Sequence, residues 1–449
     1  MDLRALVQKY SVQGPRYTSY PTAPQWSDDK KPQDVCEAIK KISGSTALYL
    51  HIPFCESLCY YCGCNIKVTQ DHSVSKKYLE ALCREIERIS SLTSSTEIRQ
   101  ISIGGGTPTY LRVEELKTLF LALKKNFKIA RDAEISIEID PRVTSYEQLK
   151  VLRELGVNRV SLGVQDFNPK VQEAIHRIQT YEMTKGMLEE CRRLGFLGIN
   201  LDFIYGLPFQ TRQSFSKTVD QILEARADRI ALYNYAHVPS LRPHQKILEK
   251  FEMPNADERL EIFLEAYDKL LKNGYHLIGM DHFALESDEL YQAINTKKLY
   301  RNFMGYTVQK ANQLIGLGCS AISEYEDAFF QNIRTYNEYE LQIKKEGLAT
   351  FRGMALTAED IRRKWIIQKI MCEFLVDFSD FENKFKENFE IKYSNQLKQL
   401  SGFIEDKIIE VSLSGIKVTP FGRLFVRNVA MVFDEHLSKE TKATYSKTL

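Results

Sequence analysis

At 449 residues the chain exceeds one average domain and implies about three compact units, or a barrel with additions. Hydrophobic residues at 43% and charged residues at 27% suit a soluble globular protein, and a net charge of +2 supplies no global field for nucleic acid or an anionic membrane. No apolar run approaches a membrane span and the opening residues lack a secretory h-region, so a cytoplasmic protein without membrane insertion is expected.

Residues 1–45 contain GPRYTSYPTAPQW, whose prolines and large rings predict an ordered extended arm, since rings of that size find something to pack on, with a plain surface linker as the alternative. From residue 46 strand-like runs recur at 46–52, 98–103, 133–139, 157–164, 197–204 and 228–235. Helical periodicity fills stretches between them, as at 76–89, 114–127 and 182–195. This alternation predicts parallel strands with right-handed crossovers. Several strands keep one polar face: Ser136, Glu138 and Asp140 on one, Ser161, Gly163 and Gln165 on the next, Asn200 and Asp202 on a third. A shared polar face predicts a partial (β/α) barrel with a ligand-holding lumen and chemistry at the C-terminal strand ends. An ordinary sheet with polar strand ends is the alternative. The alternation resumes weakly at 275–284. After about 350, an amphipathic helix at 359–375, a hairpin around Ser414-Gly415 and a closing helix predict an α-rich, winged-helix-like domain. Its mixed charge gives no ground for DNA binding. The expected division is an arm at 1–45, a barrel at 46–345 and a C-terminal domain at 346–449.

Of nine cysteines, five are scattered singly and four fall within CESLCYYCGCN: Cys55, Cys59, Cys62 and Cys64. Thiolates are soft ligands for zinc or iron–sulfur. Structural zinc usually closes with paired C-x2-C units or added histidines, and no second C-x2-C exists here. Three close cysteines on the loop after the first strand suit a [4Fe–4S] cluster with one iron left open. Zinc remains the competing reading.

The C-x3-C-x2-C run resembles the signature of the radical S-adenosylmethionine (SAM) family. There SAM chelates the open iron and is cleaved to methionine and a 5′-deoxyadenosyl radical. Further motifs narrow the likeness: GPRYTSYPTA, YLHIPFCESLCYYCGCN, GGGTPTYL, EIDP, SLGVQDFN, LDFIYGLPFQT, YNYAHVP, GMDHFA, RNFMGYT, SAIS and GRLFVRN. Together, in order over essentially the whole chain, they resemble the oxygen-independent coproporphyrinogen III oxidase family. That resemblance implies radical SAM oxidative decarboxylation of two propionates of coproporphyrinogen III to vinyls, giving protoporphyrinogen IX in haem biosynthesis.

The resemblance further implies Cys55, Cys59 and Cys62 as cluster ligands and two SAM molecules. Tyr49, Gly105, Glu138 and Ile322 would contact the first, and Tyr61, Gly106, Thr107, Gln165, Arg177, Asp202 and Ala236 the second. Tyr49 and His51 alternate with Leu48, Leu50 and Ile52, so both face the expected lumen. His51 is a candidate for proton or electron handling, or else a satisfied core histidine. A bare GGG is equally a tight turn, a strand-end acid equally a helix cap, and Arg177 equally a solvated helix residue. Cys64 fits the family's C-x-C placement without being needed as a ligand, leaving it a structural or redox role. Met304 stands where the family pattern commonly has glutamine, and it has no amide to donate or accept. Arg16, Arg142 and Arg301 are candidates to meet substrate propionates at a barrel mouth covered by the arm and C-terminal domain. An unidentified electron donor and acceptor and a monomeric state are expected. Other readings are a haem-binding chaperone, another radical SAM enzyme acting on a tetrapyrrole, and a zinc-bound interaction protein.

Overall fold

The computed structural model describes residues 3–93, 96–437, 445, 447 and 448. The chain divides into two compact units: Ser27–Asn273 with Ala311–Met354, and Met1–Trp26 with Gly274–Lys310 and Ala355–Leu449. These limits differ from the boundaries at 45 and 345 expected from the sequence. The protein is α/β, with a mostly parallel central sheet.

The first of these units is built on seven parallel strands: β1 (Ser45–Ile52), β2 (Glu97–Gly105), β3 (Lys128–Ile139), β4 (Arg159–Gln165), β5 (Gly198–Tyr205), β6 (Arg229–Asn234) and β7 (Gln313–Leu317). Their order is β7-β1-β2-β3-β4-β5-β6, and Ile322–Glu324 and Ala328–Asn332 extend it antiparallel beyond β7. The order is linear, a partial barrel. Period-2 patterning explains its two faces. Ile101, Ile103, Ile137, Ile139, Val160, Leu162, Leu201 and Phe203 are buried among the crossover helices. Each such side chain contributes about 1.5–3 kcal/mol on leaving water. In-register pairing sets Glu138 beside Ser161 and Ser161 beside Asn200, so the polar row expected from the sequence lies on one face.

Local signals set the crossovers. Helix Tyr146–Leu155 begins with a capping box, Ser145 accepting from the Gln148 amide at 3.1 Å and Gln148 accepting in return at 2.8 Å. It ends at Gly156, whose φ of 107° turns the chain back toward β4. Gln148 also donates to the carbonyls of Thr109 and Leu111, fastening the loop after β2 to this helix.

The second unit corrects three expectations. The arm is not wholly extended. It carries helices Leu3–Tyr10 and, beyond the unit boundary, Pro32–Lys40. Leu6, Val7 and Tyr10 lie at helical spacing and are buried. Its rings Tyr17, Tyr20 and Trp26 are buried, as ring size suggested. The segment 275–284 is an antiparallel hairpin, Tyr275–Gly279 with His282–Leu285, not a further βα repeat. The helix expected at 359–375 stops at Gln368. A π-helical turn at Lys369–Glu373 and a left-handed Phe374 (φ 56°) then release the chain into strand Leu375–Asp377. That strand joins Gly415–Val418 and Ile409–Ser412 in a three-stranded antiparallel sheet, as a winged-helix-like domain requires. Among the described residues no helix is long and apolar enough to cross a membrane.

Candidate active site

The C-terminal ends of the parallel strands bring the chemistry together. β1 delivers Tyr49 and His51. The Tyr49 hydroxyl lies 3.0 Å from His51 Nδ1, and His51 Nε2 lies 2.9 Å from the Asn65 carbonyl. A carbonyl only accepts, so a neutral ring carries its proton on Nε2 and Nδ1 accepts from Tyr49. Burial pushes the imidazole down to about 4. His51 is therefore neutral at pH 7 and aligned on both nitrogens.

The glycine run at the end of β2 has a steric cause. Gly105 adopts φ 118°, and a Cβ there would come within 2.6 Å of the His51 ring. A Cβ on Gly104 would meet the Glu138 carboxylate at 2.8 Å. The run therefore does more than turn the chain: it admits His51 and Glu138 side by side. The Gly105 amide donates to Glu138 at 3.1 Å.

Glu138 and Asp202 form an acidic pair on the polar face, Glu138 open to solvent at its edge and Asp202 half-buried. Burial, then the neighbouring Asp202, raises Glu138 to about 7. Burial raises Asp202 to about 6 despite donors from Ser161 at 3.0 Å and Asn200 at 2.8 Å. The β4 end is irregular. Register shifts between Gly163 and Gln165, and Gln165 sits at φ 73°. Such a bulge re-aims a side chain at a strand end.

The cysteine loop leaves β1 through Phe54–Cys55, which pairs with Lys67–Val68. Cys55 Sγ lies 3.5 Å from the Thr107 hydroxyl. Cys59 Sγ accepts from Arg142 at 3.5 Å and from Arg177 at 3.7 Å. Cys62 Sγ accepts from the Cys64 amide at 3.4 Å. The thiols of Cys59 and Cys62 lie close enough to Cys55 to act on it electrostatically. Among the described residues no three His, Cys, Asp or Glu side chains close on a point where one metal ion could sit. Three soft sulfur donors on one loop, with guanidinium N–H groups aimed at one of them, fit an iron–sulfur cluster in donor chemistry.

Arg177 is not a solvated helix residue. It is 6% exposed and donates to Asp140 at 3.0 Å and to the Gly163 carbonyl at 2.7 Å. Asp140 also holds Arg142, at 2.6 Å from Nη2. Burial opposes the charged form of Asp140, but Arg177 and Arg142 win and keep its carboxyl below the usual range. Arg142 is thus committed to Asp140 and Cys59, which argues against it as a propionate ligand.

Sequence reasoning missed the device that fastens the cysteine loop. Arg242 donates to the Gly63 carbonyl at 2.9 Å, His244 to Cys62 at 2.8 Å and Gln245 to Tyr61 at 2.9 Å. Gln245 is itself fixed by the Val238 amide at 2.7 Å. On the other side, His176 donates to the Leu58 carbonyl at 2.8 Å and stacks on Tyr60 at 5.0 Å. No periodicity in LRPHQ marks these residues. Tyr61 packs on a buried cluster that includes Ile175, Tyr235 and Leu248. Ala236 is exposed just beyond β6, and Ile322 is half-buried at the start of its strand. Met304, in the other unit, donates its amide to the Asn302 side chain at 2.9 Å.

Residues 49–222 match the Radical SAM superfamily. The oxygen-independent coproporphyrinogen III oxidase of Escherichia coli K12 is 41% identical, over 98% of this chain and 96% of its own length. That of Pseudomonas aeruginosa is 40% identical, over 99% and 98%. The solved structure of coproporphyrinogen III oxidase (HemN) from Escherichia coli, described as a radical SAM enzyme, superposes with a TM-score of 0.92 at 40% identity, covering 96% of this chain and 98% of that one. With such identity over nearly its whole length, the chain belongs to the oxygen-independent coproporphyrinogen III oxidase family.

Proposed function

We infer that the protein is a SAM-dependent oxidoreductase that converts coproporphyrinogen III to protoporphyrinogen IX in haem biosynthesis. Each of two propionates would lose carbon dioxide, one proton and two electrons to become a vinyl group. The observation that carries this reading is the convergence of the cysteine loop, the Tyr49–His51 pair and the Glu138–Asp202 row at one end of the parallel strands.

Cys55, Cys59 and Cys62 would hold a [4Fe–4S] cluster, which when bound supplies the electron that cleaves SAM. Glu138 and the Gly105–Gly106 backbone would position the first SAM, with Tyr49 and Ile322 against it. Gly106, Thr107, Gln165, Arg177, Asp202, Tyr61 and Ala236 would receive a second SAM. Neutral His51, with its proton committed to Asn65, would orient Tyr49 rather than carry charge. Cys64, whose amide meets Cys62, would tune or guard that sulfur. Met304 would contribute apolar contact only. On the same reading the protein would be a cytoplasmic monomer served by a separate electron donor and acceptor.

The test is anaerobic reconstitution with iron and sulfide, followed by SAM, a reductant and coproporphyrinogen III, with products separated as porphyrins. Protoporphyrin, a monovinyl intermediate and equivalents of 5′-deoxyadenosine are expected. SAM cleavage with intact coproporphyrin would overturn the assigned substrate. Tight haem binding without turnover would replace it with a carrier role.

A further inference from the structure

Four motifs are not used by the lumen of the parallel strands, and all four meet in the second unit. GPRYTSYPTA supplies Arg16, GMDHFA supplies Asp281, RNFMGYT supplies Arg301 and Tyr306, and GRLFVRN supplies Arg427. Contacts link them. Arg427 donates to the carbonyls of Gly14, Pro15, Lys447 and Thr448. The next residue after Pro15, Arg16, pairs with Asp281 in the turn of the Tyr275–Leu285 hairpin. His282, beside Asp281, packs edge-on to Tyr306 at 5.3 Å. Tyr306 faces Arg301 across a two-strand ladder and lies under its guanidinium at 5.4 Å.

The charges do not balance. Three guanidiniums act on one another, and Asp281, a carboxylate near enough to act on both Arg301 and Arg427, is already held by Arg16. Neutral carbonyls take the donors of Arg427. Arg301 is 6% exposed, yet its Nε and Nη1 are buried without a hydrogen-bond partner among the described residues. Tyr306 lies against that guanidinium. Two buried guanidinium nitrogens without a partner are costly, and a native fold retains them where something else pairs with them. Burial, and after it the repulsion between guanidiniums, lowers the charged-form preference of Arg301 and Arg427.

We propose that Arg301, supported by Arg16 and Arg427, binds a carboxylate, one propionate of the tetrapyrrole substrate. This rests on the function proposed above. The planar fork of arginine matches a carboxylate and cannot lose its charge. Tyr306, paired with Arg301 across the ladder, backs the guanidinium on one side.

The full-length protein would be titrated with coproporphyrin III, which keeps the four carboxylates of the substrate, and with its uncharged tetramethyl ester. Arg301→Met is expected to weaken coproporphyrin III binding roughly tenfold or more while ester binding stays as in the wild type. Arg301→Lys, which keeps charge without the fork, should fall between. Without porphyrin, Arg301→Met should melt at or above the wild-type temperature, because the unpaired charge is gone. A marked drop in melting temperature would make Arg301 a structural residue and overturn the proposal. So would equal coproporphyrin III affinity, or an unchanged KM for coproporphyrinogen III in an active enzyme. A wild type that neither binds coproporphyrin III nor consumes coproporphyrinogen III would overturn the assigned function itself, and the carboxylate site with it.

Discussion

His244 donates from Nε2 to the carbonyl of Cys62 at 2.8 Å, across 182 residues of sequence. With Arg242 on Gly63 and Gln245 on Tyr61, three consecutive carbonyls of the cysteine loop are held from one side. The Tyr61 and Cys62 carbonyls belong to the two peptide planes that flank the Cys62 Cα, and with both planes fixed the direction of its Cβ is fixed. The clamp therefore sets the position from which the Cys62 sulfur projects.

Loosening the clamp should cost both stability and iron. Gln245→Ala strands the half-buried Tyr61 carbonyl and Val238 amide, at about 1 kcal/mol per group. Urea unfolding of the metal-free chain measures the first effect. Iron loss to a chelator, timed for Gln245→Ala and for a His244→Ala variant, measures the second. Release at the wild-type rate in both would mean that the loop holds its shape unaided.

Asp140 should be the charge on which the Arg142–Arg177 arrangement depends. Asp140→Asn keeps the shape but leaves two partly or fully buried guanidiniums without their carboxylate. A loss of about 3–5 kcal/mol is expected in urea unfolding. Adding Arg142→Met should recover part of it, since one unpaired cation is then removed. A loss below about 1 kcal/mol would show that solvent already screens the site.

Gly105→Ala tests the close approach at β2. Alanine at φ 118° is strained, and its Cβ would meet the His51 ring. Destabilisation of about 1–3 kcal/mol and weaker SAM binding by calorimetry are expected. Unchanged SAM affinity would separate the glycine from the cofactor.

The acidic pair should leave a mark on pH dependence. Glu138 titrates at about 7 when folded and near 4.5 otherwise. Between those values the folded chain binds more protons than the unfolded one, so stability from this group falls as pH rises. Asp202, raised to about 6, acts in the same sense, whereas His51, lowered to about 4, gains stability as pH rises toward 6.5. Subtracting Glu138→Gln from wild type isolates the first term. The variant should gain on the wild type as pH rises from 4.5 to 7 in the SAM-free chain. Parallel stability curves would mean that Glu138 titrates at its ordinary value.

Much of the barrel unit was legible in the sequence because its signals are local. Alternation in EISIEI and VSLGV placed both the apolar face and the Glu138 row, and the spacing of Cys55, Cys59 and Cys62 marked the loop. What escaped depends on distant partners. Arg177 follows a six-residue helix and a left-handed His176, so no periodicity shows it turning inward to Asp140. The Arg242–Gln245 clamp meets carbonyls about 180 residues away, and a carbonyl leaves no trace in residue type. The second unit escaped for the same reason, being assembled from three separated segments.

That assembly has a consequence for synthesis. Arg427 grips the carbonyl of Gly14 across 413 residues. At roughly 5–20 residues per second, the arm leaves the ribosome about 20 s to more than a minute before its arginine exists. Through that interval the barrel segments can pair among themselves, while Tyr17 and Tyr20 wait without the C-terminal residues, such as Asp434 and Glu435, that they will meet. The nascent chain therefore carries an aromatic segment without its partners until the residues around Arg427–Glu435 are made.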